Sequence, residues 1–205
     1  MISVGILEAG TGNIPSVIRV LRQIGVAPKV INKPSDLDEI SHLIMPGVGS
    51  FPFVMKTLKE LGFIEKIQDK ISKKKIEILG ICLGAQILFE TGEEIEETAG
   101  ISLIDGRISE LRPLAVKIPH TGWSDVKFID PIGPFMKDEI VPFYFNHSFK
   151  FNVSTNHGVK GTCHYGEEFP VLIELPGLMA VQFHPEKSQE QGLKLLSYFI
   201  TKKLT

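Results

Sequence analysis

The 205-residue sequence predicts a single α/β domain covering residues 1–205: a mostly parallel sheet flanked by helices, with a small antiparallel β extension toward the C-terminal half. Three observations predict it. Through the first hundred residues, apolar β-rich runs alternate with amphipathic helical patterns across glycine-rich turns, as in βαβ units. From about residue 101 that alternation gives way to short β runs separated by turns. Between the two regimes, Gly80-Ile81-Cys82-Leu83-Gly84 joins an apolar strand, Ile76 to Leu79, to a helical pattern from Leu83 through a sharp turn.

In chain order, Ile2 to Leu7 is a β-rich run ending at Glu8-Ala9-Gly10-Thr11-Gly12-Asn13, after which Val17, Ile18, Leu21 and Ile24 fall at helical spacing. The third glycine of a dinucleotide fingerprint is absent, with Pro15 in its place, so Gly10 and Gly12 read as backbone turns at the carboxyl edge of a sheet. Pro28 to Asn32 is a second strand, Pro34 to Ile40 a short helix or turn, and His42 to Met45 a third strand. That strand ends in Pro46-Gly47-Val48-Gly49, which is either an ordinary Pro-Gly turn or a loop exposing N–H groups to an oxyanion. Helical periodicity runs from Phe53 to Ser72, closed by Lys73-Lys74-Lys75. The acidic run from Glu93 to Glu97 reads as exposed loop, without partner ligands at metal spacing. The later β runs are Ile108 to Leu111, Val126 to Phe128, Phe143 to Phe149, Gly161 to Tyr165 and Leu178 to Phe183, and Gln189 to Lys202 is a C-terminal helix.

Composition narrows the function classes. A formal net charge of −2 offers no basic field for nucleic acid or an anionic membrane. No apolar run approaches the roughly 18 residues that span a bilayer, and Met1 to Gly5 lacks the basic start of a secretory signal. A cytoplasmic protein is expected. Cys82 and Cys163 form neither a disulfide framework nor a metal spacing, and no metal or organic cofactor is implied.

The chemistry centres on Cys82. Glycines two positions to either side suit a strained strand-to-helix turn that lifts the thiol clear of the backbone, and a following helix would favour thiolate. A cysteine nucleophile needs a base, and six histidines compete. His184 ends a strand and precedes Glu186 by two positions, so in extended backbone the carboxylate can orient the imidazole. Cys82, His184 and Glu186 are thus the candidate nucleophile, base and orienting carboxylate.

Pro46-Gly47-Val48-Gly49, Gly80 to Gln86, and Gln182-Phe183-His184-Pro185-Glu186-Lys187-Ser188 together resemble the class I, triad-type glutamine amidotransferases. Gly10 to Asn13, Pro119-His120-Thr121-Gly122-Trp123 and Tyr144 to Phe149 extend the resemblance along nearly the whole chain. Within that family the motifs are nearest to glutaminase subunits that feed ammonia to a (β/α)8-barrel cyclase making imidazole glycerol phosphate in histidine biosynthesis. The resemblance implies a three-layer, flavodoxin-like fold and hydrolysis of L-glutamine through a Cys82 thioester. By the same resemblance, Gly47, Val48 and Leu83 N–H groups form the oxyanion hole. Gln86, Glu94, His147, Ser148 and Phe149 hold the amino-acid end of the substrate. Asn13, Trp123 and Lys187 lie at the interface with the barrel, although ordinary partial burial is the plain alternative for Trp123. Glutamine hydrolysis is expected to stay low until that partner binds its own ligand. Five residues depart from the family pattern: Glu8, Ala9, Ala85, Thr121 and Asn146. They leave open a paralogue supplying ammonia for amidation of surface-polysaccharide sugars, or a catalytically silent regulatory partner.

Overall fold

The computed structural model describes residues 2–8, 10, 12–112 and 116–204. Ala9 and Thr11, two of the residues quoted in the first turn, lie outside them. In chain order the elements are β1 (Val4–Leu7), α1 (Ile14–Gln23), β2 (Lys29–Ile31), β3 (His42–Gly47), α2 (Phe51–Glu60), α3 (Phe63–Ser72), β4 (Glu77–Cys82) and α4 (Leu83–Gln86). There follow β5 (Phe89–Gly92), β6 (Thr98–Ala99), β7 (Ile104–Glu110), β8 (His120–Phe128), β9 (Ile140–His147), β10 (Phe149–Val153), β11 (Val159–His164), β12 (Glu168–Leu175), β13 (Leu178–Val181) and α5 (Gln189–Thr201).

Nine strands form the central sheet in the order β2-β1-β3-β4-β13-β12-β11-β8-β9. The first five are parallel, and the remaining four continue the same sheet antiparallel. β1, β3, β4 and β13 are buried at every residue, because apolar clusters cover both faces of the parallel half. β8 and β9 alternate buried and open positions, because only one of their faces meets the core. Their buried face carries His120 and His147, paired directly across the strands, and their open face carries Trp123.

Several expectations need correction. The antiparallel part is more extensive than a small extension suggests: most of it prolongs the central sheet, and a second sheet, β10-β7-β5-β6, shares a core with it through Phe89, Ile104, Ile108 and Phe151. The single helical stretch from Phe53 to Ser72 is two helices. Gly62 divides them at a φ of 74°, where a side-chain-bearing residue would be strained. The helix after Cys82 is one turn long, and the chain then becomes β5, so little helix dipole acts on the thiol. The run around Phe143 to Phe149 is two strands, β9 and β10, and β12 had no counterpart in the sequence reading.

Candidate functional site

Cys82 ends β4 at φ 54° and ψ −115°, a conformation costing about 1–3 kcal/mol for a residue with a side chain. Its neighbours explain how the turn closes. A Cβ on Gly80 would stand 2.6 Å from the Ala85 Cα, and one on Gly84 would stand 1.8 Å from the Met45 carbonyl oxygen. Both positions must be glycine for α4 to fold back over β3 and β4.

Sheet order assembles the rest. β4 lies between β3 and β13, both parallel to it, so the chain leaves all three strands at the same edge. Gly47 pairs with Cys82 in register, and Val181 pairs with Ile81, which brings His184 beside the thiol just past the end of β13. Cys82, His184, Gly47, Val48 and Leu83 line one pocket of about 260 Å³. Gln86, Glu94, His147, Ser148 and Phe149 line it too, so the residues read as substrate-holding converge on the same space. Gly49, Pro119 and Asn146 complete its wall.

The His184 Nδ1 lies 2.8 Å from the Glu186 Oε1. The reason differs from the expected extended pairing: Pro185–Lys187 form a tight 3-10 turn that folds the carboxylate back onto the imidazole. Ser188 fixes this turn. Its hydroxyl donates to the His184 carbonyl oxygen at 2.6 Å and accepts from the Tyr144 N–H at 3.0 Å. Burial disfavours a charged His184, but the Cys82 sulfur and the Glu186 carboxylate outweigh burial and raise its pKa to about 10. The His184 ring is therefore an imidazolium, held at Nδ1 by Glu186 with the Cys82 sulfur beside it. Cys163 is the contrast: burial, reinforced by Asp125, pushes its thiol up to about 12 and keeps it inert.

A chain of hydrogen bonds stiffens the opposite wall. The His147 Nδ1 lies 2.7 Å from the Phe149 carbonyl oxygen, which only accepts, so Nδ1 carries the proton. Burial, opposed in part by that bond, depresses the His147 pKa to about 3, and burial depresses His120 to about 4, so both rings are neutral. It follows that His120 Nδ1–H donates to His147 Nε2 at 3.0 Å, and the Ser124 hydroxyl donates to His120 Nε2 at 2.8 Å. His120 is stacked between Phe145 and Tyr165. Sequence reading quoted His120 and Ser188 inside motifs but gave neither a role. The signal was the direct cross-strand pairing of two histidines, which needs the β8/β9 register.

Glu94 accepts the Phe51 N–H at 2.7 Å and so caps α2 just after the Gly47–Gly49 loop. The expected interface residues lie outside the pocket. Lys187 stands 5.3 Å from the Tyr144 ring centroid, and Trp123, 48% exposed, meets the same ring edge-on. Asn13 caps α1 by accepting from the Ser16 N–H. No group of three or more His, Cys, Asp or Glu among the described residues could hold a metal ion. No helix among them is long and apolar enough to cross a membrane.

The geometry can be set beside known proteins. The family model for glutamine amidotransferase class-I matches residues 6–203. The imidazole glycerol phosphate synthase subunit HisH of Moorella thermoacetica is 37% identical over 96% of this chain and 93% of its own. The HisH of Bacillus subtilis is 33% identical over 96% and 94%. Among solved structures, a glutamine amidotransferase aligns at TM-score 0.77 with 20% identity over 96% of both chains. PurLQS of Thermotoga maritima aligns at 0.76 with 19% identity over 97% of both. These last two share the fold. With a family model matched along almost its whole length and relatives 33% and 37% identical over nearly all of it, the chain belongs to the class-I glutamine amidotransferases.

Proposed function

We propose that this chain is the glutaminase subunit of an imidazole glycerol phosphate synthase, hydrolysing L-glutamine and passing ammonia to a (β/α)8-barrel cyclase. The observation that carries the reading is the buried Cys82, His184 and Glu186 set opening onto a pocket whose far wall is Gln86, His147 and Phe149. The Cys82 thiolate attacks the side-chain carbonyl carbon of glutamine, and the Gly47, Val48 and Leu83 N–H groups receive the oxyanion. The His184 imidazolium gives its Nε2 proton to the departing nitrogen, which leaves as ammonia. His184, now neutral, takes a proton from water as that water attacks the γ-glutamyl thioester. Glutamate leaves and the thiolate–imidazolium pair is restored. Glu186 holds the ring through Nδ1 and stabilises its charge.

Gln86, Glu94, His147, Ser148 and Phe149 would hold the amino and carboxylate groups of the substrate, since a buried zwitterion needs paired partners. Asn13, Trp123 and Lys187 would face the barrel, whose docking keeps ammonia from water. The 205 residues act as one domain, and the cytoplasm suits them, because its reducing poise keeps Cys82 a thiol.

Glutamate release from glutamine by the purified chain tests this, alone and with a histidine-pathway cyclase barrel carrying its ribonucleotide ligand. Strong stimulation by that barrel, abolished by Cys82→Ala with an unchanged circular-dichroism spectrum, is expected. Release that responds only to a barrel from polysaccharide synthesis would move the chain to that pathway. Full release by Cys82→Ala would refute the nucleophile.

A further inference from the structure

Gln182 directly follows β13 and is fully buried, and no step of the proposed hydrolysis uses it. Its side-chain Nε2 lies 3.7 Å from the Cys82 sulfur. Its Oε1 lies 3.0 Å from the Gln86 Nε2, and that same Gln86 nitrogen lies 3.2 Å from the Phe149 carbonyl oxygen. These contacts decide which way both amides face. The Phe149 carbonyl only accepts, so the Gln86 atom beside it is nitrogen. The Gln182 atom receiving that nitrogen is then oxygen, and the atom left facing the sulfur is an N–H donor. Gln86 spends both its hydrogens in this arrangement, leaving its own oxygen for the pocket.

From this we infer that Gln182 is a fourth catalytic residue, whose amide N–H is fixed on the Cys82 sulfur to stabilise the thiolate in a site where the following helix is too short to do so. The inference rests on Cys82 being the nucleophile of the proposed reaction. Gln86 acts through Gln182 as a positioning residue, in addition to any contact with substrate. The sulfur in turn sits 3.8 Å from the Asn146 carbonyl oxygen, an acceptor that suits thiol and repels thiolate. A dedicated donor on another side of the sulfur is what tips that balance. The titratable groups lining the pocket with Cys82 are His184, His147 and Glu94, with Glu186 behind His184.

The test is the pH dependence of iodoacetamide alkylation of the full chain, followed on the Cys82 peptide by mass spectrometry, for wild type, Gln182→Met and Gln182→Asn. Methionine keeps the length of the side chain without a donor, and asparagine keeps the amide but withdraws it by a methylene. Loss of one hydrogen bond to a charged sulfur raises the alkylation midpoint by about one pH unit, or about tenfold slower labelling below it. With glutamine, kcat falls by a similar factor while KM changes less than about twofold. An unchanged alkylation midpoint overturns the inference, even if turnover falls, because a packing defect alone would lower turnover without moving the thiol. If methionine prevents folding, asparagine decides by the same readout. Normal alkylation shifts in a chain that never hydrolyses glutamine would defeat the proposed reaction and leave the Gln182 contact standing.

Discussion

Acidification from pH 7 to pH 5 should destabilise the chain through His120 and His147. Both imidazoles are buried and neutral in the fold, with pKa values of about 4 and about 3 against 6.5 ordinarily, burial being the main cause in each. Between those values and 6.5 the unfolded chain binds more protons than the folded one, so stability rises with pH across the window and is lost as pH falls through it. Integrating that proton uptake from pH 7 to pH 5 gives about 2 kcal/mol per ring and about 4 kcal/mol for the pair, a large share of a typical domain's stability. His42, also depressed by burial, adds in the same direction. His184 acts in the opposite direction. Its folded pKa is raised, so its contribution is full below 6.5 and is lost progressively as pH rises toward about 10; between pH 7 and 5 it gains about 1 kcal/mol and leaves a net loss of about 3 kcal/mol. Urea unfolding followed by circular dichroism at pH 7, 6 and 5 measures the effect. In His120→Phe the ring still fits between Phe145 and Tyr165, but one titrating group is gone, so the loss from His120 and His147 between pH 7 and 5 should halve. The variant also starts about 1–3 kcal/mol lower, because the buried His147 Nε2 loses its donor. A wild type that loses less than about 1 kcal/mol, or a variant with undiminished loss, would refute the linkage argument.

Gly84→Ala places a Cβ 1.8 Å from a backbone oxygen that cannot rotate away, so the urea midpoint should fall by the equivalent of about 3 kcal/mol. An unmoved midpoint would mean the elbow is looser than its contacts require. Glu186→Gln removes the charge that supports the His184 imidazolium, and the basic limb of the kcat/KM profile should move at least about one pH unit lower. A limb that stays in place would assign the high pKa to the sulfur alone. Trp123→Ala deletes a half-exposed ring resting on Tyr144, so stability should change by about 1 kcal/mol or less while stimulation by the barrel drops sharply. Equal losses in melting temperature and in stimulation would return Trp123 to an ordinary packing role.

Local rules carried far in this chain. The spacing of Gly80, Cys82 and Gly84 specifies a turn that only residues without a Cβ can close, and the alternation of β runs and amphipathic helices specifies a parallel sheet beginning at β1. The pairing of His184 with Glu186 was legible from their spacing of two, although a 3-10 turn through Pro185, rather than extended backbone, brings the carboxylate to the ring. Three features were not legible. Periodicity alone could not place β13 between β4 and β12, and that placement is what carries His184 to Cys82 from about a hundred residues away. The histidine pair depends on the register of β8 against β9, where a slip of one residue would turn both rings to solvent. The amide of Gln182 faces the sulfur only because Gln86 and the Phe149 carbonyl, from α4 and β10, decide its orientation. By itself the sequence determined which residue types meet the chemistry, since sterics and spacing act within a few positions. Tertiary structure decided which of them share a pocket and which way each proton points, since those depend on strand order and on single acceptors brought from remote parts of the chain.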